Sequence, residues 1–440
     1  MPKNIIPIYE RPAELLQNLI RFDTTNPPGN ERACIQYING LLKDAGIKTN
    51  IVARVPSRPN VIARLKGEGK APPLLLYGHV DVVTTEGQKW THPPFEAKIV
   101  NGFIWGRGAL DMKSGVAMLL AAFLKAKAEK VPLPGDVIFA AVADEEAGDD
   151  FGVHYLVDKH PNLFEGVRYA FGEFGGFNLS IGGKRFYPIM IAEKQTCWMK
   201  ATFQGRAGHG SMPIHGGAMA KLASALRLLD THSLPVHVTP AVRMMIESLA
   251  KSLGGINGLV IRQLLNPPLT NLVLKSIGER GSLFSPLLHN TVSPTMLNAS
   301  EKVNVIPGEV ALRMDGRLVP GAKSDDMLRE LHALLGEEVQ FDVFKAEPGP
   351  AAPDMGLFDT LGSILQELDP TGIPLPYVMT GVTDARFLSK LGIQTYGFTP
   401  LQLPEDFNFA STVHAADERV PVAALDFGVK AIFNALQKFH

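Results

Sequence analysis

Several stretches of this chain set a histidine or carboxylates where an apolar segment ends, and such residues together suit a divalent cation. In Leu74-Leu75-Leu76-Tyr77-Gly78-His79-Val80-Asp81 an apolar strand runs into two polar residues. Positions i and i+2 share a strand face, so His79 and Asp81 project together. Open α/β sheets place their sites at that carboxyl end. A ligating histidine commonly has its second ring nitrogen held by a carboxylate, which Asp81 is placed to supply. A solvated strand end would carry the same two residues.

Gly106-Arg107-Gly108-Ala109-Leu110-Asp111-Met112-Lys113-Ser114-Gly115 is a glycine-rich turn entering a long helix. Asp111 there suits an N-cap. It also suits a ligand, since each carboxylate oxygen can serve a different cation. Asp144-Glu145-Glu146 follows the apolar run Val137 to Val142. Three acids in that position are costly unless solvated or neutralised by a cation. Neighbouring residues point in different directions, so one glutamate can hold metal while the other faces a water as general base. A solvated acidic loop is the alternative. Glu173, among the glycines and aromatics of residues 171–176, and His414, in the loop before the last helix, each fit a structural role when taken singly.

These residues need a scaffold, and periodicity supplies one. Leu15, Leu16, Leu19 and Ile20 recur at helical spacing, as do Ile35, Ile38, Leu41 and Leu42 before Gly46. Asn26-Pro27-Pro28-Gly29-Asn30 between them is a loop. Strand-like runs at 47–52, 60–65, 74–77 and 136–142 alternate with a long helix over 113–130, which predicts an α/β sandwich with a parallel or mixed sheet. From Ile181 to Gln204 the pattern changes to hairpin strands. A helix over 216–229, a mostly helical stretch at 235–290, strands at 310–318 and 338–344 and a helix over 325–335 follow. The Pro/Gly/Ala segment 347–353 reads as a linker, after which helices at 357–368 and 423–438 and a strand at 394–398 restore the first texture. The expected organisation is a catalytic domain in two parts, 1–195 and 348–440, interrupted by an inserted α+β domain at 196–347.

Composition narrows the class. Of 440 residues, 45% are apolar and 20% charged, as in ordinary globular proteins. The net charge of −1 gives no sign of a nucleic acid or an anionic membrane as partner. Neither a secretory leader nor a spanning run of about 20 apolar residues is evident. Two cysteines, Cys34 and Cys197, suit a reduced, cytoplasmic setting and cannot build a thiolate zinc site. Any metal must sit on histidine and carboxylate.

Taken in order, H-x-D, G-R-G-x-x-D, D-E-E, a glycine-flanked Glu and H-x-x-x-E-R resemble the aminoacylase, glutamate carboxypeptidase and succinyl-diaminopimelate desuccinylase family of co-catalytic zinc hydrolases, which includes acetylornithine deacetylase and carnosinase relatives. The resemblance runs from Asp23 to Val420. It implies a three-layer zinc-exopeptidase-like catalytic domain with a mixed central sheet and an inserted α+β lid or dimerisation domain. It further implies two Zn2+ per subunit, replaceable by Co2+ or Mn2+, one on His79 and Glu173 and one on Glu146 and His414, with Asp111 and a water bridging them. Glu145 would be the general base and Asp81 the orienter of His79. Gly208-His209-Gly210-Ser211 looks like the family's interdomain motif, whose His209 donates to the oxyanion, commonly from the partner of a homodimer. Asn304 and Arg317 resemble its carboxylate-binding elements, and Gly381 and Thr383 its loop near that carboxylate.

The implied activity is cleavage of an amide or peptide bond beside a free carboxylate, in an N-acyl amino acid or short peptide. Glu173 is the residue type more usual in the family's deacylases and carboxypeptidases than in its dipeptidases. A metallo-dipeptidase on the same scaffold and a non-catalytic metal-binding homologue are the alternatives. The stretch 235–290 departs from compact members, and could reshape the dimer contact, cover the site or bury the dimer surface.

Overall fold

The computed structural model describes residues 6–148 and 150–440. The chain forms two units. The first runs to Ile191 and resumes at Asp354–Tyr377 and Thr383–His440; the second comprises Ala192–Pro353 and Val378–Val382.

The first unit is built on a mixed sheet ordered Thr49–Ala53, Pro59–Leu65, Val137–Val142, Leu74–His79, Tyr169–Gly172, Gln394–Gly397, Lys184–Glu193 and Ile373–Met379. The central strands from Val137–Val142 to Gln394–Gly397 are parallel, and antiparallel pairs flank them. Val137–Val142 and Leu74–His79 are buried along their whole length, the pattern of strands covered on both faces. One face packs against helices Val153–Lys159 and Ala385–Leu388 through Leu75, Tyr77, Ile138, Leu156 and Phe387. On the other lies helix Lys113–Glu129, which buries residues around nearly its whole circumference and sets Phe123 5.6 Å from Phe139. A Cβ on Gly78 would come within 2.8 Å of Met112 and 2.9 Å of Val116, so only glycine permits that approach. Helix Val422–Lys438 packs against the long helix, and its Phe427 stacks on Tyr187 of the sheet with ring centroids 5.8 Å apart. The result is three layers, with the parallel strands' carboxyl ends at one edge.

The second unit is an antiparallel sheet ordered Thr291–Asn298, Glu309–Leu318, Gln195–Gln204 and Gln340–Ala346. Alternate residues Val310, Leu312, Met314 and Leu318 join Met199, Ala201 and Phe203 in a core under helices Ala218–Thr231 and Ser324–Leu335. The helical stretch resolves into Pro240–Leu253, Gly255–Arg262, Pro267–Ser276 and Gly281–Leu288. Among the described residues no helix is long and apolar enough to cross a membrane.

The hairpin expected over 181–204 divides differently. Gly182 and Gly183, both at positive φ, turn Leu179–Ile181 onto Lys184–Glu193, whereas Gln195–Gln204 leaves for the other sheet. Glu193-Lys194 carries no hairpin-turn residue, so the chain continues onward there. Two strands escaped the sequence because proline interrupts them. Thr291–Asn298 holds Pro294 at a register shift, Ile373–Met379 holds Pro374 and Pro376, and both are edge strands, where proline is tolerated.

Candidate active site

The carboxyl ends of three adjacent parallel strands deliver His79, the Asp144–Glu146 turn and Glu173 to one place. Loops add Asp111 and His414. His79 Nε2 lies 3.2 Å from Asp111 Oδ1 and 3.4 Å from Glu173 Oε2. His414 Nε2 lies 3.0 Å from Asp111 Oδ2 and 3.4 Å from Glu146 Oε2. Asp111 thus turns one oxygen to each histidine. Helix Lys113–Glu129 starts one residue too late for Asp111 to cap it, with Met112 at the cap position, so the carboxylate is free for the cluster. Two groups, His79–Glu145–Glu173 and His79–Asp111–Glu146, have ligand atoms within 4.8 Å of one another.

Asp81 serves this cluster through both backbone and side chain. Nδ1 of His79 sits 2.9 Å from the Asp81 carbonyl oxygen and 3.6 Å from its carboxylate, so the backbone does most to fix the ring. The carboxylate accepts the N–H groups of Glu145 at 3.2 Å and Glu146 at 3.1 Å, holding the acidic turn in place. Asn26 donates its amide hydrogens to Asp81 at 2.9 Å and to Asp144 at 2.8 Å. Asp144 is also 3.0 Å from Arg58, whose guanidinium is held by buried Glu31 at 2.6 Å. Asp144 adopts φ +64°, and its carboxylate offsets that cost by accepting from Asp150 and Phe151 N–H. Phe174, next to Glu173, and His414 itself also have positive φ. Backbone of this kind tends to gather at functional sites.

A second network pins the Asp111 loop to the His414 loop. Fully buried Glu418 accepts the N–H groups of Gly108, Leu110 and Asp111 and pairs with Arg107 at 2.6 Å. Arg107 donates on to the carbonyls of His414 and Ala415, both at 3.2 Å. Asn26, Glu31, Arg58, Arg107 and Glu418 were not singled out from sequence. Arg107 and Glu418 do lie inside the G-R-G and H-x-x-x-E-R patterns, which was the available signal.

The electrostatics of the cluster favour a cation. Burial pushes Glu173 up to about 8 against the lowering bond from His79. Burial, then the charge of Glu173, pushes Glu145 well above the usual carboxylate range, and burial with Asp111 raises Glu146. Bonds to Asp111 and Glu146 push His414 up to about 10. Burial would raise Asp111, but bonds from His414 and His79 more than offset it and leave it below the ordinary value. Among the described residues, Glu146 Oε1 is buried with no hydrogen-bond partner. Carboxylates crowded this closely, one with an unmatched oxygen, and imidazole nitrogens facing them make a donor set that divalent cations fit.

Thr383 is fully buried; its hydroxyl accepts from Ala385 N–H and its carbonyl from Arg386 Nη1 at 2.7 Å. Arg386 Nη1 lies 3.9 Å from Glu145 Oε1, so Thr383 steadies a cation beside that glutamate. The other expected residues belong to the second unit. Gly381 lies in its segment Val378–Val382. Residues Gly208–His209 pair with Val305–Ile306, which brings His209 beside Asn304, whose carbonyl accepts Gly210 N–H at 2.8 Å. Ser211 N–H donates to His209 Nδ1, so in the neutral ring Nε2 carries the hydrogen. Arg317 pairs side-on with Asp315 at 2.8 and 3.1 Å, while its Nη1 is buried without a hydrogen-bond partner among the described residues.

The chain matches the profile of peptidase family M20/M25/M40 over residues 75–438. It is 29% identical over 378 residues to the Homo sapiens N-fatty-acyl-amino acid synthase/hydrolase PM20D1, covering 83% of this chain and 74% of that protein. It is 25% identical over 435 residues to Sus scrofa aminoacylase-1, covering 94% and 92%. Its fold is similar to that of the M20 family metallo-carboxypeptidase Sso-CP2 from Sulfolobus solfataricus, with TM-score 0.70, 18% identity and coverage of 97% and 98%. The fold, the site and the extent of the match define a metal-dependent hydrolase of amide bonds. The chain belongs to peptidase family M20/M25/M40.

Proposed function

We propose that this protein is a dinuclear zinc hydrolase that cleaves the amide bond of an N-acyl amino acid, or the last bond of a short peptide, beside a free carboxylate. The observation that carries the dinuclear part is Asp111, with one oxygen toward His79 and the other toward His414. His79 and Glu173 would hold one ion, Glu146 and His414 the other, and Asp111 would bridge them. Histidine and carboxylate suit Zn2+ and tolerate Co2+ or Mn2+. When bound, two such ions lower the pKa of a water and polarise the scissile carbonyl.

The chain's own groups do the rest. Glu145 takes the proton of the attacking water and returns it to the leaving nitrogen, its affinity for protons raised by burial. Arg386 sits beside it and favours its charged form before the transfer. His209 Nε2–H would donate to the oxyanion, from a partner subunit if the inserted domain mediates a homodimer. Arg317 Nη1 and Asn304 would take the substrate carboxylate, since a guanidinium offers paired donors. Cys34 and Cys197, both buried and free, support a cytoplasmic setting.

The names of PM20D1 and aminoacylase-1 support the N-acyl-amino-acid reading. A panel of N-acyl amino acids, N-aroyl glutamate and free dipeptides tests it. Cleavage of the N-acyl substrates is expected. Turnover only of substrates with a free α-amine would instead define a dipeptidase.

A further inference from the structure

The helical insert Pro240–Leu288 lies wholly within the second unit and takes no part in the chemistry above. Its inner faces are packed, with Val242, Ile246, Leu249, Leu264 and Leu274 buried. Its outer faces carry large aliphatic side chains among the polar ones. Ile256 is 79% exposed, Leu259 65%, Leu272 66% and Leu283 70%. On Gly255–Arg262 the exposed residues Ile256, Leu259 and Arg262 recur at every third position and share one helix row. On Pro267–Ser276 the exposed residues Leu269, Leu272 and Lys275 repeat that order, two aliphatics followed by a cation. Arg280 stands three positions before Leu283. Leu259 and Arg262 also line, with Lys251 and Glu247, an open cavity of about 600 Å³.

The insert carries Arg243, Lys251, Arg262, Lys275 and Arg280 against Glu247 and Glu279, a net +3 in a chain of net −1. All five cations are exposed. The rest of the chain therefore carries −4, and the whole-chain balance conceals a basic, aliphatic surface.

We infer that this insert docks the protein on an anionic lipid surface, its aliphatic rows entering the headgroup layer and its row-end cations meeting the lipid phosphates. Long basic side chains can bury their stems in apolar surroundings and keep their charge at the interface. A second copy pairing through these same rows fits less well, because that two-fold contact would set +3 against +3, and a homodimer through the inserted domain would use another of its faces. A nucleic acid would match the cations and leave the aliphatics in water. The inference stands independently of the substrate proposed above.

Flotation of the full-length protein with vesicles decides it. Vesicles of about one part phosphatidylserine to three parts phosphatidylcholine should carry the protein at least about tenfold better than phosphatidylcholine alone, and less well as salt rises. The pair Leu272→Asp with Leu283→Asp, and the pair Arg262→Glu with Lys275→Glu, should each abolish flotation. Both should leave hydrolytic activity and melting temperature unchanged, because these side chains are exposed. Failure to float on the phosphatidylserine vesicles, or flotation that survives both pairs, would overturn the inference. So would a concentration-dependent dimer mass that both pairs convert to monomer while wild type shows no vesicle binding.

Discussion

Asn26 touches none of the proposed ligands, yet its replacement should weaken metal binding. Its amide donates to Asp81 at 2.9 Å and to Asp144 at 2.8 Å, and the side chain is buried. Hydrogen bonds to charged acceptors contribute about 1.5–3 kcal/mol each. Both carboxylates keep other donors, Glu145 and Glu146 N–H for Asp81 and Arg58 for Asp144. Asn26→Ala should therefore cost about 3 kcal/mol of stability, toward the low end of two such bonds. It should also loosen the turn that aims Glu145 and Glu146 and lower metal affinity by about 10–100-fold, the usual effect of losing a group that orients ligands. Asn26→Asp should do more harm than Ala, because it adds a third carboxylate between two. Urea unfolding and chelator competition on the same preparations measure the two effects separately. Loss of stability with metal affinity unchanged would show that Asn26 only holds its loop, and a milder Asp variant would refute the electrostatic part.

Glu145→Gln should keep its metal and lose at least about 100-fold in turnover, and undiminished hydrolysis would remove Glu145 as the base. Arg317→Ala should raise KM by about 30–100-fold for substrates with a free carboxylate and leave amidated analogues unaffected, whereas an equal loss on both would dissociate Arg317 from that group. Asp369 accepts from Arg185, Tyr187 and Thr371; burial would raise it, but these bonds hold it at about 2, below its usual value. A depressed folded pKa gives stability that is full above about pH 4 and is lost as pH falls through about 2. Asp369→Asn should then cost about 2 kcal/mol at neutral pH and almost nothing near pH 2, and an equal deficit at both would contradict the pairing.

What could be read from sequence follows from the range of each interaction. His79 stood out because an apolar strand ending in a polar residue is a local pattern, whereas Glu173 taken singly fitted a structural role and gained a ligand role only through the order of the motifs; the structure places both at parallel strand ends. Asp111 was ambiguous because an N-cap and a loop ligand differ by one residue of helix start. The supports were not legible. Asn26 and Asp144 lie 118 positions apart and Arg107 and Glu418 lie 311 apart, and no periodicity reports such pairings. The edge strands were hidden by proline, and the basic aliphatic insert by a net charge summed over the whole chain.

The central claim is a two-ion site on His79, Asp111, Glu146, Glu173 and His414, and metal content measured beside activity tests it most directly. Active protein should carry two divalent ions per chain, lose hydrolysis of N-acyl amino acids on chelation and regain it with Zn2+, Co2+ or Mn2+. Asp111→Asn should hold fewer than two. Full activity with one ion or none, or hydrolysis indifferent to exhaustive chelation, would contradict the account.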